Sequence, residues 1–455
     1  MSISLIEGRK DERRKVVIAG GGVAAVEALL ALAEHGQRTA VELLAPERDF
    51  SYRPLAVAEP FDLADVRRLP LAGLAADHGA RFHQDALAEV DPRRQAVVTR
   101  GGAELQYDNL LLAIGARSTV ALPGALTFRG PEDVADFGEL VGALLRGEAK
   151  RVVFAVPHAV RWPLPIYELA LMTAAHLAAH DVSGAEIAVV THEREPLDVF
   201  GRGASEQVSS LAAASGVEML TSCAPASVET DGLVLMSGTT VPADRVVALP
   251  KLDVPAIPGV RQGPRGFIPT DLFQRVEGLT GVYAAGDATW YPIKQGGLAA
   301  QQADVAVTGI AAAAGAPVEA APFHPILRGV LLGGRKPLHM RADPGARSSR
   351  QAVEPLWWPP GKVAGRHLAP FLAGRAGDVP PPPLTDVDAP PAGTGLADAL
   401  DMTLVAADAS ARSEDFEAAL RWLGAAEQLN VALPLEYARR RRAWRHALAQ
   451  QRRTG

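Results

Sequence analysis

Gly20-x-Gly22-x-x-Ala25 is the first group of residues in this chain whose types and spacing could do chemistry. Glycines at the first and third positions let a ligand approach the backbone. A helix starting directly after them would turn its free N–H groups toward an anion. A diphosphate suits such a turn, with Val23, Ala24 and Ala25 beginning the helix against it. In a dinucleotide site an acidic residue at the end of the second strand binds the ribose hydroxyls. That place reads Ala45-Pro46 here, so Glu47, two positions on, is the candidate. A second turn, Ala155-Val156-Pro157-His158-Ala159-Val160-Arg161-Trp162, also follows an apolar run, but it contains no glycine. Pro163 and Pro165 remove further N–H donors from that neighbourhood. His158 and Arg161 could hold a phosphate by charge, and Glu193 stands where a second ribose-binding acid would stand.

Cys223 is the single cysteine among 455 residues. No intrachain disulfide, CxxC redox pair or cysteine-rich metal site can form. Without a partner it is expected to serve as a small buried residue. A net charge of -6 gives no overall attraction to nucleic acid, which is not expected as a partner. Charge is uneven, however: Arg439 to Arg442, Arg445, Arg452 and Arg453 make the last twenty residues basic. Tyr437, Trp444 and Leu448 form only a thin apolar stripe along that segment. A solvated or protein-docking helix is therefore expected ahead of peripheral membrane contact. Met1 to Lys15 lacks the apolar run of a signal peptide, and no stretch approaches the roughly 20 apolar residues of a membrane span. A cytoplasmic protein is expected.

The elements that must position these residues can be read from apolar periodicity. Lys15 to Ala19 reads as a strand, Val23 to His35 as a helix and Thr39 to Ala45 as a second strand, one βαβ unit. Short strands follow from Arg81 to Gly115. A second strand-helix-strand pattern runs through Val152–Val156, Tyr167–His180 and Glu186–Thr191. The stretch from Ala243 through Asp287 to the alanine-rich helix Leu298–Ala314 reads as a return to the first domain. Residues 323 to 373 read as a strand pair, a tryptophan-containing loop and a short helix. Four prolines at 380 to 383 mark a linker, and Gly395 to Gln450 is helical in pattern, with Phe416, Leu420 and Leu423 on one face.

Two further runs, Tyr107 to Ala116 and Thr280 to Asp287, stand in the order and at the spacing of two-domain flavoproteins of the glutathione-reductase type. With the first glycine turn they carry a resemblance. From Lys15 to about Ala314 the chain resembles the FAD-dependent pyridine-nucleotide-disulfide oxidoreductase superfamily. It is most similar to the branch of sulfide:quinone oxidoreductase, flavocytochrome c sulfide dehydrogenase and type II NADH dehydrogenases. Three local segments point to that branch: Asp49 to Leu55, Pro196 to Gly201, and Pro292-Ile293-Lys294-Gln295-Gly296.

The resemblance implies an α/β fold with two Rossmann-like, glutathione-reductase-type dinucleotide-binding domains, a small α+β domain and a C-terminal helical appendage. The expected boundaries are 13–120 with 240–315 for an FAD domain and 121–239 for a second nucleotide-type domain with a degenerate NAD site. Residues 316–373 would form the small domain, 374–395 a proline-rich linker and 396–455 the appendage. It implies FAD held by Gly20, Gly22, Val23, Ala24, Ala25 and Glu47. Arg53, Ala86, Ala113 and Gly115 would line the same groove. Gly286 and Asp287 would take the ribityl chain, and Lys294 would stabilise negative charge on the reduced ring.

The departures bear on mechanism. The sulfide enzymes relay sulfur through cysteines, and one of their positions falls in Val160 to Glu168, which contains none. Sulfide oxidation by that route is excluded, and the flavin must exchange hydride or electrons directly with its substrate. Lys294, Glu168 and Tyr52 are the catalytic candidates; Trp162, Tyr167 and Trp290 are further candidates for the substrate side. Glu168, shielded by Trp162 and Tyr167, would have a raised pKa. The Trp357-Trp358 pair either caps the flavin or packs in a core or interface. The expected partner is a small electron donor or acceptor, a quinone or NAD(P)H among them, and homodimers are usual in the superfamily. A type II NADH:quinone-like dehydrogenase and a non-catalytic FAD-binding scaffold or sensor are the alternatives.

Overall fold

A computed structural model describes residues 13–333, 336–344, 348–376 and 435–454, with scattered positions between 404 and 423. The linker and most of the segment before the last helix lie outside the described residues.

Two five-stranded parallel sheets organise the chain. The first runs Val282–Ala284, Asn109–Leu112, Arg14–Ala19, Thr39–Ala45, Arg81–Gln84 in spatial order. Its central strand ends in Val16-Val17-Ile18-Ala19, all fully buried, as a strand covered on both faces must be. Alternate side chains separate the two cores. Val16 and Ile18 pack toward the helices Val23–Ala33 and Gly296–Ala313. Val17 and Ala19 pack with Val90, Val97 and Leu105 of a small antiparallel sheet on the other face.

The second sheet repeats the plan: Leu126–Thr127, Arg245–Ala248, Arg151–Ala155, Glu186–Val190, Val217–Leu220, again all parallel. Arg245–Ala248 pairs with Arg151–Ala155, so the return to the first domain comes after residue 248 and not at 240. The crossing is a two-stranded antiparallel ribbon in which Arg117–Thr119 pairs with Lys251–Asp253. The Ala243–Leu249 run was assignable to either sheet by hydrophobicity alone, because both central regions are apolar.

The region after 316 is built around three antiparallel strands, Leu327–Leu331, Leu338–Asp343 and Ser348–Ala352. The third strand, polar along most of its length, was not visible as periodicity. This region does not own a separate core. Leu327, Val330, Met340, Trp357, Val363 and Leu368 belong to the same apolar cluster as Val16 and Ile18. Trp357 is fully buried, with its indole N–H donating to the Gly361 carbonyl, so the tryptophan pair is core and not a flavin cap.

Both carboxylate oxygens of buried Glu27, on the helix after the first turn, accept the backbone N–H groups of His367 and Leu368. They cap the helix Leu368–Ala376 from outside. The last helix, Leu435–Thr454, turns Tyr437, Ala438 and Trp444 inward. Its arginines meet an acidic segment of the first domain: Arg445 pairs with Asp65, and Arg442 lies 3.3 Å from Asp62. The basic tail is thus docked on its own chain, a partner the sequence pattern could not name. No helix among the described residues is long and apolar enough to cross a membrane.

Candidate functional site

At the first turn Gly20 has φ +133°, and a Cβ there would collide with the Ala113 carbonyl at the end of the neighbouring strand. Gly22 is different. A Cβ on it would meet no atom within 4 Å, so this glycine leaves space unfilled by protein. Gly22 is also the N-cap of the helix Val23–Ala33, with no side-chain cap and no acidic residue in the first turn. Free donors and an open cradle are what a diphosphate needs. A methyl added at Gly21 would lie 3.5 Å from Glu47 Oε2, which places that carboxylate over the turn despite the shifted loop.

The opposite end of the site is built on Val282–Ala284 and the single-turn helix Gly286–Ala288. Gly286, at φ +81°, donates its N–H to Gln302 Oε1 at 2.8 Å, which fixes the turn to the helix Gly296–Ala313. Burial pushes the Asp287 carboxyl above the ordinary range, against the opposing pull of Lys294 and Arg53. The Lys294 ammonium donates to the Thr289 carbonyl and sits 4.0 Å above the Phe267 ring centroid. Burial lowers it to about 8, still mostly protonated at neutral pH. Gln295 accepts the Leu298 N–H at 2.9 Å and donates to the Arg328 carbonyl at 2.7 Å, capping the helix and tying it to the third sheet.

One cavity of about 1250 Å³ joins these two ends and continues to the second domain. Such a volume exceeds the usual small-ligand pocket and suits a large cofactor together with a substrate. Of the residues expected from sequence, Gly20, Gly22, Val23, Ala24, Glu47 and Arg53 line it. So do Ala86, Ala113, Gly115, Gly286, Asp287, Lys294 and Glu168. Trp162 and Trp290 reach its wall as well.

Four expected residues, Ala25, Tyr52, Tyr167 and Glu193, do not line the cavity. Ala25 is fully buried in the packing of its helix. Tyr52 is turned away from the cavity, and its hydroxyl accepts the Val363 N–H at 3.0 Å, making it an anchor for the C-terminal segment. Burial pushes its phenol up to about 12, which leaves it neutral. Neighbouring Arg53 faces the cavity instead, held by Glu132 at 2.7 Å and by the Arg129 carbonyl. Tyr167 is also buried, with its hydroxyl on Glu193.

Lys362 carries no motif in the sequence yet reaches the site. Its ammonium lies 2.7 Å from Glu168 Oε2 and donates to the Pro54 carbonyl at 3.1 Å. Glu168 Oε1 accepts the Leu332 N–H at 2.9 Å. Both side chains are almost completely buried at the cavity wall. Burial raises the Glu168 carboxyl and lowers the Lys362 ammonium, each against the attraction of the other. An isolated charge here would be untenable, but the pair with its extra hydrogen bonds is stable. In the sequence Lys362 ends a segment, Trp357 to Gly361, of loop composition but strongly apolar character, which alone does not single it out.

Two parallel five-stranded sheets, a glycine turn at the first and a shared cavity between them define a two-domain dinucleotide-binding oxidoreductase architecture. The chain belongs to the pyridine nucleotide-disulphide oxidoreductase family, whose model matches residues 14–154 and 168–309. Members of the family are flavin-dependent oxidoreductases, and the chain is an enzyme of that class. Among solved structures it is similar to the sulfide:quinone oxidoreductase of the hyperthermophilic bacterium Aquifex aeolicus. There the TM-score is 0.67 at 19% identity, covering 75% of this chain and 87% of that one. The NAD-dependent persulfide reductase of A. fulgidus gives a TM-score of 0.54 at 18% identity, over 73% of this chain and 65% of that one. NDH2 of Plasmodium falciparum in complex with NADH gives 0.51 at 15% identity, over 61% and 65%. These likenesses establish the fold. A search of curated proteins finds no match.

Proposed function

We propose that this enzyme binds FAD in the first domain and transfers hydride or electrons directly between the flavin and a small molecule, without a cysteine pair. The observation that carries this reading is the cavity itself. It runs unbroken from the open cradle at Gly22, past Asp287 and Lys294, to the buried Glu168–Lys362 pair, and no cysteine lines it. Cys223, the lone cysteine, packs beside the second sheet's apolar cluster.

FAD bound there would supply two-electron chemistry at its ring, and the chain would supply the rest. Gly20, Gly22 and the helix N-terminus would hold the diphosphate, with Glu47 at the ribose and Asp287 at the ribityl hydroxyls. Lys294 would oppose negative charge on the ring. The Lys362 ammonium donates to Glu168 across 2.7 Å at the wall where a substrate would enter, which would let the pair supply or take up a proton there. Val57, Val160, Trp162, Leu164, Pro165 and Val330 make that wall apolar, which suits a quinone as electron acceptor. We propose a homodimer, by analogy with the superfamily.

The test begins with heat release of the cofactor from purified protein. One equivalent of FAD is expected. The flavin is then photoreduced anaerobically and mixed with a short-chain ubiquinone, which takes up two electrons and two protons. Reoxidation should proceed at an unchanged rate in Cys223→Ala. Flavin-free wild-type protein, or a Cys223→Ala variant that no longer reoxidises, would sink the proposal.

A further inference from the structure

We infer that Glu193 is a positioning residue for the Glu168–Lys362 pair, and that the contacts giving it this role leave the second domain without a seat for a pyridine dinucleotide. The inference rests on reading the cavity as a flavin chamber.

In a dinucleotide-binding βαβ unit the acid after the second strand faces outward to take ribose hydroxyls, and a glycine turn lets the diphosphate reach the helix N-terminus. Glu193 follows the strand Glu186–Val190 at that place, yet it is only 8% exposed. Its Oε2 accepts the Tyr167 hydroxyl at 2.5 Å and the Thr191 hydroxyl at 2.8 Å. Burial pushes its carboxyl up to about 7, as expected for an acid turned inward from water.

Tyr167 stands in the first turn of the helix Leu164–Ala179, directly before Glu168. The acid therefore ties the end of one strand to the turn of helix that presents Glu168 to the cavity. What would be a ligand contact in a nucleotide site is spent on internal alignment.

The glycine turn has been replaced in the same sense. Residues 156–163 contain no glycine, and Pro163 and Pro165 flank the helix start. Trp162 packs edge-on against Phe200 at 5.7 Å, and His158 against His192 at 5.2 Å. The family match lapses over this stretch, between residues 154 and 168. His158, Arg161 and Trp162 line the cavity, so the turn has become part of the chamber wall.

The experiment uses full-length protein whose flavin content has been measured first. NADH and NADPH are titrated to about 1 mM, the upper end of the usual KM range, and their own fluorescence is followed. No saturable change is expected. Glu193→Ala should slow reoxidation of the photoreduced flavin by short-chain ubiquinone roughly tenfold, the scale of a misplaced catalytic group. It should also shift the pH profile in the direction seen with Glu168→Gln. Glu193→Gln, which keeps an acceptor for Tyr167 and Thr191, should restore the rate to within about threefold. Tyr167→Phe keeps the ring packing and should repeat the Glu193→Ala profile if Glu193→Ala does not fold. Saturable NADH binding to the flavin-replete wild type overturns the inference, as does a Tyr167→Phe profile identical to wild type. Absence of flavin from the wild type sinks the chamber reading itself, a separate result.

Discussion

The two parallel sheets invite a comparison of their first turns. Each follows the central strand of its sheet and leads into a helix. The first spends three residues, all glycine, between Ala19 and Val23; the second spends eight, none of them glycine, between Ala155 and Leu164. The acids differ correspondingly. Glu47 is exposed above its turn, whereas Glu193 is buried beneath its own helix. On the function proposed above, a repeated fold keeps one ligand site and turns the other into scaffold. The backbone plan is preserved by apolar strands that both sheets share, while the site depends on a few residues free to change without disturbing those strands.

The largest effect should come from breaking the first turn. Gly22 has an extended backbone, φ -89° and ψ -167°, that valine adopts without strain. Gly22→Val fills the open cradle and touches no protein atom at Cβ. The variant should fold, at a capping cost of about 1 kcal/mol, and should lose FAD by roughly a hundredfold or more in affinity, since it blocks the donors that hold the diphosphate. Ala159→Val at the second turn should leave flavin content unchanged. Absorbance of the purified proteins near 450 nm gives both answers, the flavin's own band. Equal flavin in the two variants would erase the distinction between the turns.

A somewhat smaller effect should follow from the joint between the second domain and the C-terminal segment. Glu168→Gln leaves the Lys362 ammonium buried without its counter-charge. Urea unfolding should show a loss of about 3–5 kcal/mol, the scale for one member of a buried pair. Glu168→Gln combined with Lys362→Met removes the charge problem and should recover most of that loss. If the double variant is no more stable than the single one, the pair is not coupled as its 2.7 Å separation implies.

The difference between the turns also explains what could be read in the sequence. Glycine spacing, Asp287 after its strand and Lys294 before its helix are local signals. Their chemistry follows from neighbours within a few residues, and all reach the cavity. Lys362 and Glu168 are 194 residues apart, and only packing of the third sheet against the helix Leu164–Ala179 brings them together. Tyr52 and Arg53 look equally suited to the cavity, but Tyr52 caps the 3-10 turn Arg53–Leu55 that Arg53 opens, and the two side chains leave that turn in different directions. Arg53 took the cavity, so Tyr52 took the anchor on Val363. For Glu193 the spacing indicates position but not direction. An acid at a strand end can face a ribose or turn back on its own helix, and Tyr167, 26 residues earlier, decides which.

That direction has a pH signature, the smallest of the effects expected here. Glu193 is raised from 4.5 in the open chain to about 7 in the fold. An acid with a raised folded pKa contributes stability that is fully present below about pH 4.5 and is lost as pH rises through 7. The displacement corresponds to a loss on the order of 2–3 kcal/mol between those limits. Glu193→Gln cannot ionise, so its stability relative to wild type should rise by that amount from pH 4.5 to pH 8, read by chemical unfolding at each pH. Glu47→Gln, at the exposed counterpart, should change stability by no more than about 0.5 kcal/mol at either pH. A Glu193→Gln difference that stays flat across this window would mean that the carboxylate is hydrated and facing outward. The second turn would then retain the acid of a nucleotide site, and its contrast with the first would reduce to the missing glycines.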